Sequence, residues 1–166
     1  MFSRVYYWAP ANGNIGHSSM DIAFGAGPGF AEYVSWWPMQ LGGDIWGGPG
    51  GFKNNYVDDR AEESGDATGV VDVTCLDEWA MKAYWDMWKQ NNYYAVYSDN
   101  CAKAVADILY EGGAKFSVSC EKQYKYTTVW LPVDTYHFAQ NIVSSASEIE
   151  QNRNDGVIPP SYLSDN

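Results

Sequence analysis

The sequence predicts an α+β fold, an antiparallel sheet with a helix packed on it and a cysteine in the first turn of that helix. Three observations predict it. Aromatic and β-favouring runs fill the first 37 residues and are separated by Gly, Pro and Asn turns. Apolar residues at helical spacing come later, from about Cys75. Between them Tyr93 to Tyr97, the polar turn Ser98-Asp99-Asn100 and the run from Cys101 read as strand, turn and helix.

In chain order, Phe2 to Trp8 is a first strand that stops at Ala9-Pro10. Ile15 to Phe24 is a second strand with His17 near its start, and Gly25 to Gly29 is a tight loop. Phe30 to Trp37 is a third strand, antiparallel to the second and stopped by Pro38. Met39 to Gly69 is Gly-rich and then polar, and reads as a long loop, either a flap over a cleft or a surface excursion. Gly69 to Val73 is a short strand. Thr74 with Asp77 resembles a capping box, which places a helix over about Cys75 to Gln90, with Trp79, Ala83, Met87 and Leu76, Ala80, Tyr84 facing the core.

The helix from Cys101 to Tyr110 has an apolar side of Ala102, Val105, Ala106, Ile108 and Leu109, and Gly112-Gly113 ends it. Phe116 to Cys120 and Tyr124 to Trp130 read as strands. Pro132 opens a last helix, about Val133 to Ala146. The expected organisation is one catalytic domain over residues 1–147, with a Gly-rich insertion at about 39–69 and a flexible tail over 148–166.

A net charge of -11 argues against nucleic acid as a partner. No stretch nears the 18 apolar residues or so of a membrane span, and the N-terminus lacks the pattern of a cleaved signal peptide. Export without such a signal, after synthesis in the cytoplasm, is therefore the expected route. The three cysteines, Cys75, Cys101 and Cys120, are odd in number and widely spaced, so neither a disulfide framework nor a zinc signature is expected, and no cofactor is implied.

The chemistry-bearing pair is His17 and Cys101, 84 residues apart. A helix N-terminus favours an anion and offers N–H groups to an oxyanion, and an imidazole can take a thiol proton. A third group normally holds the imidazole in one tautomer. Ser35 and Glu32 are the candidates, with Asp21 a weaker one. The plainer alternatives are a buried structural cysteine and a structural histidine. His137, Cys75 and Cys120 are expected to be structural.

Gly16-His17-Ser18-Ser19-Met20-Asp21, Tyr33-Val34-Ser35-Trp36-Trp37-Pro38 and Asn100-Cys101-Ala102 with Leu109-Tyr110-Glu111-Gly112-Gly113 together resemble the circularly permuted papain-like cysteine hydrolases. That group includes NlpC-type cell-wall peptidases and lecithin:retinol acyltransferase-like enzymes. The resemblance implies a papain-like fold and a thioester acyl-enzyme, with Cys101 as nucleophile and His17 as base and then acid. Ser35 stands where acyltransferase-like members carry histidine. The implied substrate is an amide bond, as in peptidoglycan stem peptides, and the implied setting is a secreted bacterial effector with a cognate inhibitor. Trp36, Trp37, Trp46 and Asn100 are the candidate substrate contacts. One rival is acyl transfer or hydrolysis on lipid esters by the same pair. The other is a non-enzymatic binding module in which the tryptophans stack on sugars and His17 lies far from Cys101.

Overall fold

The early aromatic runs form strands. In the computed structural model, which describes residues 1–11, 14–27, 30–39, 47–90 and 93–157, β1 (Ser3–Trp8) lies between β2 (His17–Ile22) and β6 (Gly69–Val73). β3 (Glu32–Val34) pairs on the outer side of β2, and every pairing is antiparallel. Period-two alternation sorts the two faces. Val5, Met20, Ile22 and Val34 are fully buried in the main core. Trp8 faces His17 across the β1–β2 ladder and Tyr6 faces Ser19, so the polar site residues share the opposite face.

The run from Phe30 to Trp37 is not one strand. It breaks at Ser35, and β4 (Trp36–Pro38) joins a second sheet with β5 (Gly48–Phe52) and β7 (Tyr93–Tyr94), in the order β4-β5-β7. The Ser35 carbonyl accepts the Lys53 N–H (3.2 Å), which turns the chain from one sheet to the other. Much of the expected loop is therefore ordered structure. β5 needs glycine at position 50, because a Cβ there would lie 2.2 Å from the Trp36 ring. After β5 comes α1 (Tyr56–Glu62), whose N-cap Asn55 accepts the Asp58 N–H (3.0 Å).

α2 (Glu78–Trp88) starts three residues later than the Thr74 capping box would place it. Asp77 is the N-cap and accepts the N–H groups of Trp79 and Ala80. Its buried stripe is Met81, Trp85 and Trp88, while Trp79 and Met87 are exposed. Large apolar residues surround this helix on all sides, so periodicity does not single out a face, and docking on its neighbours selects one. α3 (Cys101–Glu111) forms as expected, capped by Asn100, whose side chain accepts the Lys103 N–H (2.8 Å). Gly113, at φ +123, turns the chain after it in a region that favours glycine.

The two strands expected after α3 are absent from the described residues there. A 3-10 turn and α4 (Val118–Tyr126) take their place. Ser117 caps α4 by accepting the Cys120 N–H (3.4 Å), and Tyr124 stacks on Tyr110 at 3.9 Å, so local capping and tertiary stacking override β propensity. α5 (Pro132–Ser144) is the expected last helix, but the chain continues into α6 (Ala146–Asp155) where a tail was expected. Ile149 is fully buried there. Glu148 accepts from the Ser117 hydroxyl and the Val118 N–H, Asn152 donates to the Phe116 carbonyl and Arg153 to the Cys75 carbonyl. The polar residues that suggested a tail are thus attachments to the start of α4, its approach and the segment before α2. Residues 158–166 of the expected tail lie outside the described residues.

Candidate active site

His17 opens β2 and Cys101 opens α3, and α3 packs on β2. The fold brings the two residues near one another, and the Cys101 sulfur is close enough to act on the charge of the imidazole. Both are buried, at 2% and 3% exposure.

The third group is Asp59, in the middle of α1 and with no exposed surface. Its carboxylate lies 3.2 Å from His17 Nε2. Three neutral donors hold it: the Tyr33 hydroxyl at 2.6 Å, the Ser35 hydroxyl at 2.7 Å and the Trp37 indole N–H at 2.8 Å. The Ser19 hydroxyl contacts the Tyr33 hydroxyl at 2.7 Å behind them. Burial works to raise the Asp59 carboxyl, but the hydrogen bond and charge of His17, then the Tyr33 and Ser35 hydroxyls, lower its pKa to about 2. Burial likewise opposes a charged imidazole. The Cys101 sulfur and the Asp59 carboxylate outweigh it and raise the His17 pKa to about 9. The raised pKa favours the charged ring, which donates from Nε2 to the Asp59 carboxylate.

Two rings fix the imidazole plane. Trp37 stacks on it at 4.2 Å and Trp8 tilts against it at 5.7 Å. Trp37 also donates to the Ser35 hydroxyl (2.7 Å) and carries the Lys53 ammonium 4.2 Å above its ring. Beyond it lies a cavity of about 230 Å³ lined by Trp37, Pro38, Met39, Gly51, Phe52, Lys53 and Glu62.

Of the residues expected at the site, His17, Cys101, Ser35 and Trp37 converge. Ser35 contacts His17 Nε2 at 3.2 Å, though its own proton goes to Asp59. Glu32 does not reach the imidazole. It lies on the face of β3 opposite Tyr33, where Lys82 of α2 (2.5 Å) and Lys89, the C-cap of that helix (2.9 Å), hold its carboxylate. Asp21 accepts from Tyr6 instead. Trp36 is a core residue, 1% exposed, with its indole N–H on the Asp99 carbonyl, so it does not face substrate. Asn100 caps α3 and donates to the Val96 and Trp130 carbonyls, which leaves it structural. Trp46 lies outside the described residues. Asp59 was missed because it sits among acidic neighbours in a segment read as loop. The one available signal was Asn55 followed three residues later by Asp58, a helix start that would have put Asp59 in a first turn.

Residues 51–158 match the family described as the IcsB middle domain. The chain belongs to the IcsB middle-domain family. No curated protein and no solved structure matches it. The part of this IcsB middle domain that matches holds Asp59 and Cys101, whereas His17 precedes it. No helix among the described residues is long and apolar enough to cross a membrane.

Proposed function

We propose that this member of the IcsB middle-domain family is a cysteine enzyme that takes an acyl group onto Cys101 as a thioester and passes it on, acting as a bacterial effector. The observation that supports this most is the buried His17 imidazole, held 3.2 Å from the Asp59 carboxylate and near enough to the Cys101 sulfur for the sulfur to act on its charge. In the proposed cycle His17 holds the thiol proton, the sulfur attacks a carbonyl carbon, and the imidazolium then protonates the leaving group. The carboxylate keeps the ring in one orientation and stabilises its charge. The Cys101 N–H, at the start of α3, faces the developing oxyanion. Family membership agrees with the effector setting.

An amide hydrolase acting on peptidoglycan stem peptides is one form of this chemistry, with water as acceptor. Transfer or hydrolysis of a lipid acyl group is the other. The cavity beside Trp37, walled by Pro38, Met39 and Phe52, favours the second, because these side chains suit an apolar chain better than a sugar polymer. Incubation with a long-chain acyl thioester and, separately, with purified peptidoglycan separates the two. The expected result is a hydroxylamine-labile acyl adduct on Cys101 that Cys101→Ala lacks. Stem peptide released without any adduct from the thioester would move the assignment to the amidase. Neither product, from a chain whose Cys101 is readily alkylated, would sink the enzyme assignment.

A further inference from the structure

The cavity beside Trp37 adjoins the reaction site through one ring. Trp37 stacks on the imidazole at 4.2 Å, donates from its indole N–H to the Asp59 carboxylate (2.8 Å) and walls the cavity of about 230 Å³. Whatever fills that cavity rests against the ring that positions His17. Lys53, paired with Glu62 (2.9 Å), is the polar part of the lining, and Pro38, Met39 and Phe52 are the apolar part. Met39 is 67% exposed and Phe52 47%. Large apolar side chains left open beside a reaction site fit an apolar ligand.

The room in this cavity traces to Gly51, which faces Trp37 directly across the β4–β5 ladder. An aromatic ring opposite a glycine commonly folds over it. Here Trp37 is turned onto His17 instead, and the Met39 side chain takes the space above Gly51. A Cβ on Gly51 would lie 2.3 Å from the Met39 sulfur and 3.0 Å from its Cγ. The Met39 N–H donates to the Pro49 carbonyl (2.8 Å), which carries the strand pairing one residue further. Met39 therefore shares a face with Trp37, two residues before it. A thioether side chain is unbranched and adapts to irregular gaps.

We infer that Gly51 and Met39 are specificity-determining residues of an acyl-chain subsite: the gap above Gly51 gives Met39 a seat, and the two together set the length of chain that the cavity accepts. This rests on the thioester chemistry proposed above. Any side chain at position 51 takes the seat of Met39. Either it or the displaced thioether then occupies space that the acyl chain needs, since both residues line the cavity. Truncation of Met39 does the reverse. The plainer account, in which Gly51 only lets Met39 pack on the sheet, predicts no effect on chain choice.

Acylation of Cys101 in the full chain, read by mass spectrometry of the Cys101 peptide, is compared over p-nitrophenyl esters from acetyl to dodecanoyl. Each ester passes its acyl group to the sulfur and releases p-nitrophenolate. Each methylene shut out of the cavity costs about fourfold in the second-order rate constant. Gly51→Val is expected to lower the ratio of dodecanoyl to acetyl rates about tenfold or more, and Met39→Ala to raise it about fourfold. The acetyl ester carries no chain to place in the cavity, so a fraction of misfolded protein cancels from the ratio. An unchanged ratio in either folded variant would overturn the assignment, as would shifts in the same direction in both. If Gly51→Val does not fold, Met39→Ala decides alone. Wild type acylated equally fast by every ester removes the subsite and leaves the thioester function standing. Wild type alkylated at Cys101 by iodoacetamide but acylated by no ester removes the function itself.

Discussion

Two buried carboxylates, Asp59 and Asp107, sit at the centres of polar clusters of similar make-up, and they differ in whether their cationic partner can give up its proton near neutral pH. Asp107, 4% exposed on α3, pairs with Lys103 one turn away and accepts the Tyr124 hydroxyl. Tyr124 stacks on Tyr110, which donates to Glu121, itself paired with Lys125. Each carboxylate there meets a permanent cation and a phenol. Asp59 meets no permanent cation among its hydrogen-bond partners. Its donors are two hydroxyls, an indole and an imidazole that also faces a thiol. A lysine keeps its proton at working pH, whereas an imidazole can pass one on. The comparison teaches that the switchable partner, and not burial of the acid, marks the site.

The largest expected contrast lies between nucleophile and scaffold. Cys101→Ala should remove turnover by about 10³-fold or more, because no other group can take the acyl chain, while the chain stays folded. Next, Asp59→Asn should lower kcat about 10²- to 10⁴-fold by releasing the imidazole orientation. Asp107→Asn should instead cost about 1–3 kcal/mol in denaturant unfolding, with turnover per folded molecule unchanged. Equal kinetic losses in both variants would erase the distinction between the clusters.

A pH series sharpens it further. The charged His17 pair contributes stability that is fully present below the unfolded histidine pKa of about 6.5 and is lost as pH rises through about 9. The Asp59 contribution is present above its unfolded pKa of about 4 and is lost as pH falls through about 2. The melting temperature of wild type should therefore fall between neutral pH and pH 9 or so, and that alkaline step should vanish in His17→Gln. A step that survives the substitution would place the titration elsewhere. Smaller still, Ser35→Ala should reduce kcat by about 3- to 10-fold, since it removes one of several donors to Asp59. Glu32→Gln should leave turnover unchanged and cost at most about 1 kcal/mol, because its lysine pairs are half-exposed.

The sequence by itself determined the parts of this protein that depend on local pattern. The β1, β2 and β6 strands, the helix beginning at Cys101 and the proline-started α5 follow from alternation, capping and helical spacing within short windows. The strand that opens at His17 and the helix that opens at Cys101 are each recognisable alone, whereas their pairing came only from the resemblance. Only the tertiary structure decided the rest. Glu32 and Tyr33 are adjacent, yet the pleat sends one to α2's lysines and the other to Asp59. The phase of α2 and the helical state of Val118–Tyr126 were set by what packed against them. Asp59 was hidden for the same reason: one acid among several in a polar stretch becomes singular only when α1 folds over the sheet. There Tyr33, Ser35 and Trp37 take it out of water beside His17, and that desolvated meeting of residues distant in sequence leaves no trace in any local window.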